Sequence, residues 1–243
     1  MASPTDLADD DERRTVYRYV ERHGPVEPSV VADAVGTDPE SFQHHLAILK
    51  RDALLAETDE GRLVVALDSG EAVEHREAGV AYTIRPARPA DISGVVGVIR
   101  TITDECCYVV ASSVADRLVY EETVVRRNPT ECRVLFVATV EDDVVGWCHV
   151  TTPDADHLSN TAELTLGVLS EYRRHGIGSH LLQRGVEWAA ARGCRKVYNS
   201  VPACNERAIE FLLGAGWTVE AVRADHYELD GDLVDETMLA RDL

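Results

Sequence analysis

Residues Glu163-Leu-Thr-Leu-Gly-Val-Leu-Ser-Glu-Tyr-Arg-Arg-His-Gly-Ile-Gly178 decide the reading of this chain. A short apolar strand runs into a turn of arginines and glycines. The turn opens an amphipathic helix whose first apolar residues are Ile177, Leu181 and Leu182. A strand that feeds a glycine loop into a helix start aims several unpaired backbone N–H groups at one point, and the helix dipole adds partial positive charge there. Such a point holds a phosphate.

Working outward, Arg173-Arg174-His175-Gly176-Ile177-Gly178 fits the pattern Arg/Gln-x-x-Gly-x-Gly/Ala. Ala162-Glu163-Leu164 precedes it, and Asn205-Glu206-Arg207-Ala208-Ile209-Glu210-Phe211 and Gly214-Ala215-Gly216-Trp217 follow. In this order the motifs resemble the acyl-CoA loop, the next helix and its closing Gly-aromatic step in the GNAT family of N-acetyltransferases. The resemblance covers roughly residues 80–243. It implies an α+β acyl-CoA N-acyltransferase fold with a mixed, mostly antiparallel sheet.

The composition bounds the rest. The 243 residues carry 24 Lys plus Arg against 43 Asp plus Glu, a net charge of −19, and Lys50 and Lys196 are the only lysines. The deficit is shared by both halves of the chain, so it belongs to a whole surface and not to a tail. That pattern fits adaptation to a salty cytoplasm, as in halophilic archaea, because at ~1 M salt the Debye length is roughly 3 Å and an acidic surface repels itself little. The alternative is an acidic face that attracts cationic substrates. Cysteines at 106, 107, 132, 148, 194 and 204 show no Cys-x-x-Cys pair and no regular spacing with histidines, so no metal is expected. No apolar run reaches the ~18 residues of a membrane span, and the expectation is a cytoplasmic protein with reduced thiols.

In chain order, residues 1–11 read as a disordered acidic N-terminus. Residues 12–67 read as a small separate domain: helices from Arg13 to His23, from Pro28 to Gly36 and from Pro39 to Ala53, then a hairpin around Asp59-Glu60-Gly61. This order looks like a winged helix-turn-helix. Gln43, His44, Lys50 and Arg51 could touch DNA, but the acidity of the segment opposes duplex binding, and protein docking or dimerisation stays open. His44-His45 reads as a polar helix face. Asp68–Gly79 reads as a linker, and residues 80–243 as the acetyltransferase-like domain.

If the resemblance holds, acetyl-CoA is the cosubstrate, lying where the Glu163 strand and the Lys196 strand splay apart. The resemblance implies that Leu166 and Val168 offer backbone groups to the pantetheine arm, with the Val168 N–H also serving an oxyanion. The N–H groups from Arg174 through His175, Gly176, Ile177 and Gly178 to Ser179 would hold the pyrophosphate. Arg173 and Arg174 add charge, and Asn205 stands near the pantetheine or caps its helix. Gly167 fits a bulge or a close backbone approach.

The reaction is attack of an amine on a thioester, and an alkylamine with a pKa of ~10.4 needs a base. Glu163 is the candidate base; the alternative is a solvent-facing residue on a half-exposed strand. The family often places a tyrosine as thiolate proton donor where this chain has Leu212, so Tyr227 is the candidate acid, with Tyr198 or solvent as alternatives. The acceptor is a protein lysine, an N-terminus or a small amine. A DNA-binding regulator that senses acyl-CoA is the rival reading, and a homodimer is the assembly left open.

Overall fold

Two long strands of alternating β-branched residues, β6 (Glu131–Val140) and β7 (Asp143–Pro153), form the centre of the molecule and are buried on both faces. The computed structural model describes residues 11–105, 108–127, 131–153, 160–229 and 231–243. Cys106, Cys107, Asp230, the loop 154–159 and almost all of the acidic N-terminus read from the sequence lie outside the described residues.

Residues 11–65 form α1 (Asp11–His23), α2 (Pro28–Val35), α3 (Pro39–Arg51) and the short pair β1 (Leu55–Glu57) and β2 (Leu63–Val65). The helices start and stop where their caps dictate. Asp38 accepts the N–H groups of Glu40 and Ser41, each at 3.1 Å, and Gly36 ends α2 in the left-handed region. Val16, Val20, Val31, Phe42, Leu46, Leu49, Leu55 and Leu63 close a core of their own. His45 departs from the polar face read for it. It is buried on the inner side of α3, with Nε2 3.3 Å from the Glu12 carboxylate.

The main sheet has nine strands, with β10 (Thr218–Leu229), β11 (Asp232–Asp242), β9 (Lys196–Pro202), β8 (Thr161–Val168), β7, β6, β4 (Val80–Pro86) and β3 (Val73–Glu77) in that order, and β5 (Val125–Arg127) beside β6. Every pairing is antiparallel except β8 with β9. Helices α6 (Ile177–Ala191) and α7 (Glu206–Gly214) pack on one face, where Ile177, Leu181, Leu182 and Leu212 meet Leu164, Val197 and Leu239. Helices α4 (Ile92–Glu105) and α5 (Val109–Glu121) pack on the other, where Val95, Ile99 and Leu118 meet Leu135, Val137 and Trp147. Gly185 sets how closely α6 approaches: a Cβ there would lie 2.6 Å from Leu164 Cδ1 and 2.9 Å from Cys148 Sγ.

The stretch 68–79, read as a linker, is built into the sheet. Its β3 pairs with β4 from Val73↔Ile84 to Glu77↔Val80. A run of polar and charged residues is enough for an edge strand when a neighbouring strand supplies the ladder, and the sequence carries no signal for that neighbour. The two halves of the chain are also bonded directly. Tyr17 donates to Arg127 O at 2.5 Å, and Arg127 Nη1 donates to Ala53 O at 2.6 Å and Ala66 O at 2.9 Å. Arg126 pairs with Glu21 at 3.3 Å and with Glu121 at 3.0 Å, and Glu121 also holds the buried Arg133.

Candidate active site

Strands β8 and β9 pair over three rungs, from Thr161↔Lys196 to Glu163↔Tyr198, and no ladder joins them beyond that. The gap between them is a cleft of about 1140 Å³. Its walls are Thr165–Val168 of β8, Asn199–Pro202 of β9, the loop before α6, the first turns of α7 and the start of α5. Leu169 N–H donates to Val145 O. Strand alternation therefore turns the backbone groups of Leu166 and Val168 away from β7 and toward the cleft. The Val168 carbonyl already accepts Arg173 Nε at 3.0 Å, so Arg173 closes the turn between β8 and α6.

The loop is a nest of free donors. The first α6-type bond runs from His180 N to Gly176 O. Among the described residues, the N–H groups from Arg174 to Ser179 make no other backbone bond outside the helix. Arg174 and Gly176 both sit in the left-handed region, at φ 66° and 73°, which curls these donors inward. Gly178 has an ordinary φ, and a Cβ on it would come no closer than 3.6 Å to any neighbour. No contact within the protein requires glycine there.

Asn205 gives a second sign of a ligand. It is 2% exposed, and its Oδ1 accepts Ala208 N–H at 3.2 Å as the cap of α7. Its Nδ2 is buried without a partner and belongs to a residue that lines the cleft. A buried amide donor left unmade costs about 1–3 kcal/mol, which a carbonyl of an entering ligand recovers. Extended edge, anion nest and orphan donor along one cleft fit the thioester arm and diphosphate of an acyl-CoA.

The predicted residues fall into two groups. Leu166, Val168, Arg173, Arg174, Gly176, Gly178, Ser179 and Asn205 line the cleft. His175 and Ile177 do not: Ile177 is in the core, and the Nδ1 of His175 is buried without a partner. Gly167 allows close approach with no bulge. Ile102 Cδ1 and Trp147 Nε1 lie 3.0 Å from where its Cβ would be, and the β7–β8 register is unbroken.

Glu163 is exposed and lies outside the cleft wall, on the face opposite α6 and four residues before Gly167. It shares a cross-strand row with Arg133, Thr151 and Tyr198. Neither tyrosine reaches the cleft. Tyr198 donates to Glu220 at 3.4 Å and Tyr227 to Glu236 at 2.7 Å. Burial and the Glu236 carboxylate push Tyr227 well above the ordinary phenol value, so its proton is committed. Leu212 does line the cleft and is 2% exposed.

Tyr108, Asn199, Ser200 and Cys204 also line it, and no sequence motif marks them. They come from a helix start and a strand end whose meeting is a tertiary event. Beside the row of Glu163 stands His149, 7% exposed, opposite Thr165. Burial, then the charges of Arg133 and Arg117, push its imidazole down to about 3. Among the described residues no group of three or more His, Cys, Asp or Glu could hold a metal ion. None of their helices is long and apolar enough to cross a membrane.

Solved structures share this architecture and define the class as an acyltransferase fold. A GNAT-family acetyltransferase from Streptococcus pneumoniae superposes with a TM-score of 0.55 at 18% identity, covering 67% of this chain and 99% of that one. The yncA protein of Salmonella typhimurium, solved with its cofactor acetyl-CoA, gives 0.54 at 18%, covering 67% and 94%. A phosphinothricin acetyltransferase from Sinorhizobium meliloti, solved with acetyl-CoA, gives 0.54 at 17%, covering 67% and 88%. Residues 97–217 match the acetyltransferase (GNAT) family. The chain thus carries an acetyltransferase domain of that family. No curated protein sequence matches the chain.

Proposed function

We propose that this chain transfers the acetyl group of acetyl-CoA to a primary amine by direct attack in a ternary complex. The observation that carries the reading is the single cleft where the unpaired edge of β8, the nest Arg174–Ser179 and the orphan Nδ2 of Asn205 meet. The bound thioester supplies an activated acyl group. Leu166 and Val168 hold its arm as a strand neighbour would, and the Val168 N–H stabilises the oxyanion formed at the acyl carbon.

Glu163 takes the proton of the incoming ammonium. Four strand residues place it about 13 Å along β8 from Gly167, so the transfer runs along a chain of several waters. The thiolate leaves without a dedicated acid from position 212: with a pKa near 8.5 a thiol is a fair leaving group. The acceptor is a protein lysine, an N-terminus or a small amine, and the acidic surface suits a salt-adapted cytoplasm.

The N-terminal domain, read as winged-helix-like, supports docking more than DNA reading. Lys50 on its third helix pairs with Glu57 at 2.5 Å and Arg51 with Asp52 at 2.8 Å, which leaves little charge for phosphates. The test is thiol release from acetyl-CoA over a panel of amines and peptides in high salt. Glu163→Gln is expected to cost about 10²- to 10⁴-fold in kcat at unchanged CoA affinity. Turnover within a few fold of the native protein would remove Glu163 from the mechanism, and no turnover with any amine would leave acyl-CoA sensing as the better reading.

A further inference from the structure

The segment joining the two halves of the chain lies along α6 one helical turn at a time. Asp68 O accepts the indole N–H of Trp188 at 3.0 Å. Ser69 O and Glu71 O accept Arg184 Nη2 at 2.7 and 2.9 Å. The ring of His75 stacks on that of His180 with centroids 4.0 Å apart, and His180 Nδ1 shares a 2.6 Å hydrogen bond with the Tyr82 hydroxyl. Finally the Glu77 carboxylate lies against Gly176, where a Cβ would collide with it. Trp188, Arg184, His180 and Gly176 are spaced four apart, so they form one ridge of the helix. The strap ends at the phosphate loop, and it ends in a negative charge.

Glu77 is exposed and has no hydrogen bond or ion pair among the described residues, and none of the loop N–H groups from Arg174 to Ser179 donates to it. Burial, and after it the Glu77 charge, raises the neighbouring Tyr82 hydroxyl above its ordinary value. Arg174, Gly176, Gly178 and Ser179 line the cleft, and the Glu77 carboxylate, which does not, lies against Gly176. A diphosphate bound at the loop therefore has a like charge beside it, one glycine away. β3, which carries it, lies outside the residues 97–217 that match the family.

We propose that Glu77 is a charge gate on the phosphate loop, lowering the affinity for the CoA diphosphate at modest ionic strength and releasing that penalty as salt screens it. This rests on the reading of the cleft as a CoA site. A carboxylate several ångströms from two phosphate charges through partly solvated protein weakens binding roughly three- to tenfold at ~0.1 M salt, and the effect falls below about twofold near 1 M, where the Debye length is ~3 Å. Salt thus strengthens CoA binding in the native protein relative to a variant without the charge. That is the reverse of what the nest and its arginines alone would give.

The experiment is calorimetric titration of the full chain with CoA and with S-acetylpantetheine, which lacks the diphosphate, between about 0.1 and 1 M KCl. Glu77→Gln keeps the shape of the side chain and is expected to tighten CoA three- to tenfold at the low end, converging with the native protein at the high end, with S-acetylpantetheine unaffected. Glu74→Gln is the control: the same charge change on the same strand, exposed on its opposite face, with no expected effect. The proposal is overturned if Glu77→Gln leaves the CoA affinity unchanged at low salt, if Glu74→Gln tightens CoA equally, or if S-acetylpantetheine tightens in parallel. Failure of the native protein to bind CoA at any salt would instead overturn the reading of the cleft, and the gate with it.

Discussion

Asn205 caps α7 through Oδ1 and leaves Nδ2 without a partner in the cleft wall, and Asn205→Ser separates the two atoms. Serine keeps an oxygen that can accept the Ala208 N–H, so the cap of α7 persists; replacement within the Ser, Asn and Asp group costs a few tenths of a kcal/mol. The same change deletes Nδ2, a donor buried in the cleft wall without a partner. In the free protein that deletion removes a desolvation penalty of about 1–3 kcal/mol, offset in part by the lost packing of the amide. The melting temperature of the free variant therefore stays level or rises by about 2–4 °C per kcal/mol recovered. In the complex the variant lacks a hydrogen bond of about 0.5–1.5 kcal/mol, so the CoA dissociation constant rises about 2- to 12-fold. Asn205→Ala serves as the contrast, losing the cap as well and with it about 1 kcal/mol of stability. Thermal unfolding with and without CoA measures both effects. A serine variant that binds CoA as tightly as the native protein would refute the assignment of the orphan donor to the ligand.

Three further outcomes test other parts of the structure. Gly178→Ala is expected to leave the fold intact or stabilise it by up to about 1 kcal/mol, since its Cβ meets nothing closer than 3.6 Å, while CoA affinity falls at least about tenfold because the methyl enters the anion site; equal affinity in a binding titration would contradict the nest. Gly185→Ala gains helix propensity of about 1 kcal/mol but drives a methyl into Leu164 and Cys148, a strain of about 1–3 kcal/mol, so denaturant unfolding in KCl should show net destabilisation. For His149, the folded imidazole titrates near 3 while the unfolded one titrates near 6.5, so its contribution to stability is complete above about pH 6.5 and is lost as pH falls toward 3. Between pH 7.5 and 5.0 the native protein should lose about 2 kcal/mol more than His149→Gln, and equal losses would show that His149 is not buried neutral.

Local pattern carried much of the fold. Alternation in 133–140 and 144–152 gave the central hairpin, Pro39 after Asp38 gave the start of α3, and the glycines at 176 and 178 after an apolar strand gave the loop and α6. Each is a property of a few consecutive residues acting through backbone geometry and caps, and the structure keeps each within a few residues of its expected bounds. Where the signal depended on a distant partner, it was absent. Segment 68–79 has a linker's composition and becomes a strand and strap because β4 and α6 are waiting for it. His45 sits among polar neighbours in sequence and is buried because α1 packs over it.

The site divides along the same line. The sequence by itself determined the loop of unpaired N–H groups, because left-handed residues and a helix start place such groups without help from the rest of the chain. It also determined the absence of a hydroxyl at position 212. Only the tertiary structure decided which side chains stand around the nest. It set Tyr227 on Glu236 instead of in the cleft, left Glu163 on the open face beside Tyr198, and brought Tyr108, Ser200 and Cys204 to the wall. Backbone donors are fixed by torsions that a short sequence specifies. The company a side chain keeps is fixed by how strands register and splay across the whole sheet, and no local stretch encodes that.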